Sequence, residues 1–243
     1  MGTQGRLKQF AAVQTAKTFL KILPHISEQR LLRFPIVRRG LEAVSYYPEG
    51  KEFLQSLLLH GRRAIGRCSK NCLAKFAENL IVNEFIAANP KRKEFRSRYG
   101  FDPPFLMVLS PSMRCNLNCY GCYAGQYPKG EELETEVIHR VLREGKEMGI
   151  YFVTISGGEP FIRPDLLDIF ETHGDMFFQV YTNGTLIDES LAKRLSRLGN
   201  VLPAISVEGW EEETDVRRGP GAFQRILSTM ARLREEGVLF GFS

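Results

Sequence analysis

The sequence predicts an α/β chain in which a parallel sheet built of βαβ units follows an all-helical N-terminal region, and two observations carry that prediction. From residue 105 onward, short apolar runs alternate with helical segments, and parallel strands need such crossover helices between them. Before residue 104 the periodicity is helical throughout and the charge balance is reversed. Residues 1–103 hold 19 Lys and Arg against 8 Asp and Glu, while the remainder holds 14 against 20.

In the first region, helical periodicity over residues 6–88 is broken at Pro24, Pro35 and Pro48, since proline cannot sit in a helix interior. Leu73, Phe76, Leu80 and Phe85 line one face of the last helix, which is expected to end at Asn89-Pro90. Lys91, Arg92, Lys93, Arg96 and Arg98, closing on Gly100 and Pro103-Pro104, have linker composition. The predicted organisation is a basic helical region over 1–90, a linker over 91–104 and a core domain over 105–243. In the core, strands over 105–110, 151–156, 177–182, 202–207 and 238–242 alternate with helices over 132–148, 165–172, 188–198 and 222–236. Pro164 suits a helix first turn, and Gly149 and Gly237 follow last turns. A parallel sheet needs both faces covered, and no helix follows the fifth strand before Ser243, so a longer parent protein is expected.

With 243 residues, 43% hydrophobic and 25% charged, the composition excludes collagen, coiled coil and wholesale disorder. Apolar stretches such as residues 150–155 and 105–109 fall far short of the roughly 18 residues that a membrane-crossing helix needs. Lys17 and Lys21 interrupt the N-terminal segment as an export signal. The five cysteines, three of them at positions 115, 119 and 122, suit metal ligation in a reducing compartment better than disulfides, and the cytoplasm is the expected location.

In a βα architecture reactive groups gather on loops at the C-terminal ends of strands. Cys115, Cys119 and Cys122 follow the first predicted strand, Gly157-Gly158-Glu159-Pro160 ends the second, Tyr181-Thr182-Asn183-Gly184 the third, and Ser206-Val207-Glu208-Gly209 the fourth. Three thiolates so spaced can hold three corners of a cubane iron–sulfur cluster and leave one iron open. Read alone, they equally fit a zinc ion with an outside fourth ligand, or a redox dithiol at Cys119 and Cys122. Gly157 and Gly158 let a backbone approach a ligand, and Glu159 beside them can accept hydrogen bonds from an ammonium group. Cys68 and Cys72, four apart, share a face if both lie on one helix; they fit ligands of a second cluster or, better, buried free thiols. His25, His60, His139 and His173 lack ligand spacing and read as structural or surface residues.

In this order and at successive strands, Cys115, Cys119 and Cys122 followed by Gly157 to Pro160 resemble the radical S-adenosylmethionine (SAM) superfamily, over residues 105–243. The resemblance implies a partial (β/α)6 TIM-like barrel, here reaching the fifth strand. It implies a 4Fe-4S cluster on the three cysteines, whose fourth iron chelates the amino and carboxylate groups of SAM, with the 157–160 loop receiving the amino group. Reductive cleavage of SAM would give a 5′-deoxyadenosyl radical that abstracts a substrate hydrogen, inside a barrel that excludes solvent. Ser206 and Glu208 resemble polar residues near the ribose and methionine carboxylate. Thr214-Asp215-Val216-Arg217-Arg218-Gly219 resembles a segment of peptide-modifying members, with Arg218 approaching the carboxylate. Asn183 is either a further cofactor contact or simply part of an Asn-Gly turn. The family's frequent aromatic residue before the third cysteine is Gly121 here, so either Tyr120 or Tyr123 faces the adenine from a neighbouring position, or both only pack the loop.

The expected function is a radical SAM enzyme of the peptide- and cofactor-maturase group, served by a reductase such as flavodoxin or ferredoxin. Its small-molecule, peptide or lipid substrate is unidentified. A lipid or isoprenoid substrate is the enzymatic alternative that the basic helical region suggests. A non-catalytic iron–sulfur or zinc protein is the alternative of a different class, and in it the Gly157–Pro160 loop has no job. The basic region also predicts a weak, salt-dependent contact with an anionic membrane surface, against the simpler reading of a solvated basic face; nucleic acid is not an expected partner.

Overall fold

Five strands pair in parallel and in chain order: β1 (Met107–Leu109), β2 (Phe152–Ile155), β3 (Phe177–Thr182), β4 (Val201–Ile205) and β5 (Gly241–Phe242). They belong to a computed structural model that describes residues 3–43 and 48–243. Met107 stands opposite Val153, Phe178 opposite Val201 and Ile205 opposite Phe242. Sequential parallel order is the order of a TIM-like barrel, and the chain forms its first five strands.

Alternate strand residues, Val153, Ile155, Phe178, Val180, Val201 and Ile205, enter one buried core with the crossover helices. Those helices are α7 (Thr135–Met148), α8 (Leu166–Thr172), α9 (Glu189–Leu198) and α11 (Ala222–Glu235), which contribute Leu142, Phe170, Leu195 and Ile226 among others. Asp188 caps α9 by accepting from the Leu191 amide at 2.8 Å, and Gly199, at φ 70°, ends it. The helix predicted over 132–148 starts three residues late, because Glu132 instead forms an antiparallel bridge to Ser112. β3 matches its apolar run, and the other four strands are shorter than theirs. Phe105 and Leu106 lie outside β1, and Val238 packs into the core ahead of β5.

The helical region consists of α1 (Thr3–Ile22), α2 (Glu28–Arg33), α3 (Pro35–Ala43), α4 (Pro48–Ile65) and α5 (Lys70–Lys75). Pro35 and Pro48 open helices, and Pro24 lies in the short 3-10 turn Leu23–His25. α5 runs on into a wide π-helical stretch, Phe76–Ala87, whose buried residues include Asn79, Asn83 and Glu84. Those polar residues meet the entry points of β2 and β3. Asn79 Nδ2 donates to the carbonyls of Gly174 (3.0 Å) and Met176 (2.8 Å), and Asn83 Nδ2 to that of Asp175 (3.0 Å). The Glu84 carboxylate accepts from the Tyr151 amide at 2.7 Å and pairs with Arg92. Phe76 packs edge-on against Phe177 with ring centroids 5.7 Å apart. The helical region thus closes the N-terminal end of the sheet.

Of the predicted linker, residues 91–99 are helical and residues 100–104 carry neither helix nor strand. α6 (Asn89–Tyr99) carries Pro90 in its first turn, where the missing N–H leaves no bond unmade, and Gly100, at φ 82°, ends it. Two of its charges are engaged with the rest of the protein: Lys91 Nζ donates to the Lys146 carbonyl (2.6 Å) and the Tyr151 hydroxyl (3.0 Å), and Arg92 pairs with Glu84. Cys68 lies in the turn after α4 rather than on the helix that carries Cys72, so the two share no helical face. Burial pushes the Cys68 thiol up to about 12, and burial also raises Cys72, which keeps both thiols protonated and unreactive. Among the described residues, no helix is long and apolar enough to cross a membrane.

Candidate functional site

A cavity of about 510 Å³ opens at the C-terminal ends of the strands. The cysteine loop supplies Cys115, Cys119, Gly121, Cys122 and Tyr123 to its wall; the loops after β2, β3 and β4 add Ser156, Gly157, Gly158, Asn183 and Ser206. Tyr181 and Thr182 of β3 complete one side, and Arg217 and Arg218 close the other.

The cysteine loop is tied off at its neck. Leu133 N donates to the Pro111 carbonyl (2.9 Å), Ser112 Oγ donates to the Glu132 carboxylate (2.7 Å), and Arg114 pairs with that same carboxylate. Across from it, Gly158 N donates to the Ser112 carbonyl (3.0 Å) and Glu159 N to the Arg114 carbonyl (2.8 Å). A Cβ on Gly157 would overlap the Ser112 carbonyl oxygen, and one on Gly158 the Arg114 carbonyl oxygen. The two glycines are therefore required first for the close approach of one loop to the other, an approach sequence reading assigned to a ligand. Tyr123 adds a third tie, its hydroxyl lying 3.0 Å from Ser156 Oγ and 3.2 Å from the Gly157 carbonyl.

Glu159 points away from the cavity wall. It is 1% exposed, and its carboxylate accepts from Thr182 Oγ1 (2.8 Å), Asn183 N (2.8 Å) and Phe161 N (3.2 Å). Burial raises its carboxyl above the usual range, against the pull of these donors and of Arg218. Pro160, buried beside it, opens the 3-10 turn Pro160–Ile162. Tyr120 turns outward at 83% exposure, with its amide donating to the Arg217 carbonyl (2.9 Å), so of the two tyrosines only Tyr123 reaches the cavity.

A helix absent from the periodicity reading carries the two arginines. α10 (Glu211–Arg218) has no apolar stripe, and its Val216 is 78% exposed. Its signal was charge order, with Glu211, Glu212 and Glu213 in the first turn and Arg217 and Arg218 in the last, which matches the helix dipole. Glu208 lies behind the arginines, accepting from Arg217 Nη1 at 2.6 Å and pairing with Arg218. Burial pushes the Glu208 carboxyl up, but the two guanidiniums outweigh it and the net shift is down. Arg217 and Arg218 both line the cavity, so the pair puts guanidinium donors and positive charge on that wall.

Among the described residues, no three His, Cys, Asp or Glu side chains gather tightly enough to hold a single metal ion. The three thiols instead spread around one wall, an arrangement that suits a cubane, in which each thiolate binds a different iron. Burial raises the Cys119 thiol despite the lowering influence of Arg218.

Residues 109–241 match the family model of the Radical SAM superfamily. The chain belongs to the radical SAM superfamily. An Fe-coproporphyrin III synthase of Methanosarcina barkeri is 33% identical over 149 residues, covering 59% of this chain and 37% of that protein. Mycofactocin maturase MftC of Mycobacterium tuberculosis is 31% identical over 143 residues, 57% of this chain and 36% of its own. The radical SAM chain therefore aligns with well under half the length of these curated relatives. The fold resembles that of Streptococcus suis SuiB bound to its precursor peptide SuiA, with a TM-score of 0.54 at 19% identity over 80% of this chain and 46% of the other. The superfamily uses SAM and a 4Fe-4S cluster, and the thiols and arginines of this cavity fit both groups.

Proposed function

We propose that the chain carries the catalytic core of a radical SAM enzyme that modifies a peptide or a cofactor precursor. The observation that carries the reading is the convergence on one cavity of three thiols, the Gly157–Gly158 backbone and the Arg217–Arg218 pair. Cys115, Cys119 and Cys122 would hold a 4Fe-4S cluster, which when bound supplies the electron that cleaves SAM to the hydrogen-abstracting 5′-deoxyadenosyl radical. Arg218 and Arg217, which line the cavity, would bind the methionine carboxylate, and Ser206 would face the ribose. Glu159 would act by fixing Thr182 and Asn183, and the Gly157–Gly158 backbone, which lines the cavity, would receive the amino group. Tyr123 takes the place beside the adenine that Gly121 cannot fill. The electron would come from a protein such as flavodoxin or ferredoxin. The substrate class is supported by the Arg217–Arg218 segment and by relatives named as maturases and as an Fe-coproporphyrin III synthase.

The test is anaerobic reconstitution followed by metal analysis and SAM titration. About four iron and four sulfide per chain are expected. SAM should perturb the electron paramagnetic resonance signal of the reduced cluster, and dithionite should release 5′-deoxyadenosine. One zinc per chain with no SAM binding would overturn the reading in favour of a structural metal protein.

A further inference from the structure

Asn183, by sequence either a cofactor contact or part of an Asn-Gly turn, reaches a cysteine sulfur with its side chain. It is buried, at 6% exposure, behind the cysteine loop. Its Oδ1 accepts from Thr185 N (2.9 Å) and Thr185 Oγ1 (2.6 Å). A backbone amide can only donate, so the Thr185 contact fixes which end of the Asn183 amide is oxygen. The NH₂ end therefore faces the other way. One hydrogen goes to Asn116 Oδ1 at 2.9 Å, leaving the second for Cys115 Sγ at 3.8 Å. Asn116 is itself held, its Nδ2 donating to Thr185 Oγ1 at 2.9 Å, and the Asn183 backbone amide is held by Glu159. The carboxamide is thus clamped on three sides. Leu117 N also donates to Cys115 Sγ, at 3.4 Å, whereas among the described residues no hydrogen bond reaches the sulfur of Cys119 or Cys122.

We infer that Asn183 is a positioning residue that raises the electron affinity of the iron–sulfur centre through its N–H···S bond to Cys115. The inference rests on the proposed function, since it needs the cluster on Cys115. A donor aimed at a thiolate ligand stabilises the more negative, reduced state, and hydrogen bonds to sulfur are a principal means by which proteins set such potentials. Glu159 then contributes at a distance, through the Asn183 amide that it holds.

The experiment is a redox titration of the reconstituted cluster without SAM, using dithionite as the one-electron donor and the reduced cluster's paramagnetic signal as readout. Asn183→Leu keeps the shape and removes the donor. Its reduced-to-oxidised ratio at the wild-type midpoint should fall about tenfold, a shift of about 59 mV to more negative potential in a one-electron couple. Asn183→Asp keeps the Thr185 contacts but turns an acceptor toward the sulfur, and its shift should be larger in the same direction. Thr185→Val removes the hydroxyl from the clamp but keeps the Thr185 backbone amide on Asn183 Oδ1 and the Asn183 donor itself, so its shift should be smaller than that of Asn183→Leu. Wild-type midpoints in Asn183→Leu and Asn183→Asp at full iron content would overturn the inference while leaving the radical SAM reading intact. A wild-type protein that assembles no four-iron cluster would overturn both. If the variants do not assemble, the wild type still decides. Asparagine labelled with 15N only in its side-chain amide should couple to the reduced cluster in pulsed paramagnetic resonance, and absence of that coupling refutes the bond.

Discussion

At the N-terminal ends of β2 and β3, the main chain is met by side chains that are buried and paired, namely Asn79, Asn83 and Glu84. At the C-terminal end of the sheet, Ser156, Ser206, three thiols and two arginines face a cavity. Both ends are polar, so polarity alone does not distinguish scaffold from site. What distinguishes them is what they face. Polar groups at the floor are buried against the main chain and Arg92, with Asn79 Oδ1 and Arg92 Nε left unpartnered, whereas those at the top line an open cavity. Substitutions at the floor should therefore change stability without changing what the cavity binds, and substitutions at the top should do the reverse.

The largest effect should come from the top. Replacing Cys115, Cys119 and Cys122 together by Ala should abolish iron and sulfide incorporation and the visible absorbance, while the apoprotein melts as the wild-type apoprotein does. Full iron in the triple variant would place the cluster elsewhere. At the floor, Glu84→Ala leaves the largely buried Arg92 without its counter-charge and the Tyr151 amide without an acceptor. Losing one partner of a buried pair costs about 3–5 kcal/mol, to be read from urea unfolding, and the folded fraction should load iron normally. Arg218→Gln should weaken SAM binding roughly tenfold to a hundredfold by calorimetry, since hydrogen bonds to charged groups are worth about 1.5–3 kcal/mol, and it should leave urea unfolding nearly unchanged.

Gly158→Ala probes where the contrast breaks down, because it forces a Cβ into the Arg114 carbonyl. Overpacking of this kind costs about 1–3 kcal/mol, and iron incorporation should fall along with stability, since the displaced segment leads into Cys115. The smallest effect is confined to acid. His173, buried at the floor and 2.9 Å from the His139 ring, is pulled down to about 4 by burial, helped by Lys146, His139 and Arg143 and opposed by Asp175. A depressed histidine binds its proton more readily once unfolded. Its contribution is complete above pH 6.5 and is lost as the pH falls toward 4. Melting temperature should decline through that window, and His173→Gln should flatten the decline without altering stability at neutral pH relative to its own plateau.

The alternation of strands and helices was legible because the core side of each strand is apolar, and the cysteine loop because its spacing is local. Asn79, Asn83 and Glu84 were not legible as a floor, since polar residues on a helix read as a solvated face until the carbonyls of Gly174, Met176 and Asp175 are found against them. α10 escaped because Thr214 is its buried residue, leaving no apolar period to detect. Residues 91–99 were misread because basic composition looks the same whether the charges meet water or, like Lys91 and Arg92, protein acceptors. The need for glycine at 157 and 158 could be seen, but its cause could not. It lies in carbonyls more than forty positions earlier in the chain, and distance in sequence says nothing of distance in space.

The stitching of Ser112 and Arg114 to Gly158 and Glu159 has a thermodynamic consequence. Two binding segments that share main-chain hydrogen bonds cannot be ordered independently, so whatever fixes one lowers the entropy left to be lost by the other. Such coupling is reciprocal. If loading of the cysteine loop tightens SAM binding by some factor, SAM must tighten the loop's hold on its metal by the same factor. Resistance of the cluster to a chelator, titrated against SAM, is then a measure of how firmly two pieces of backbone are sewn together.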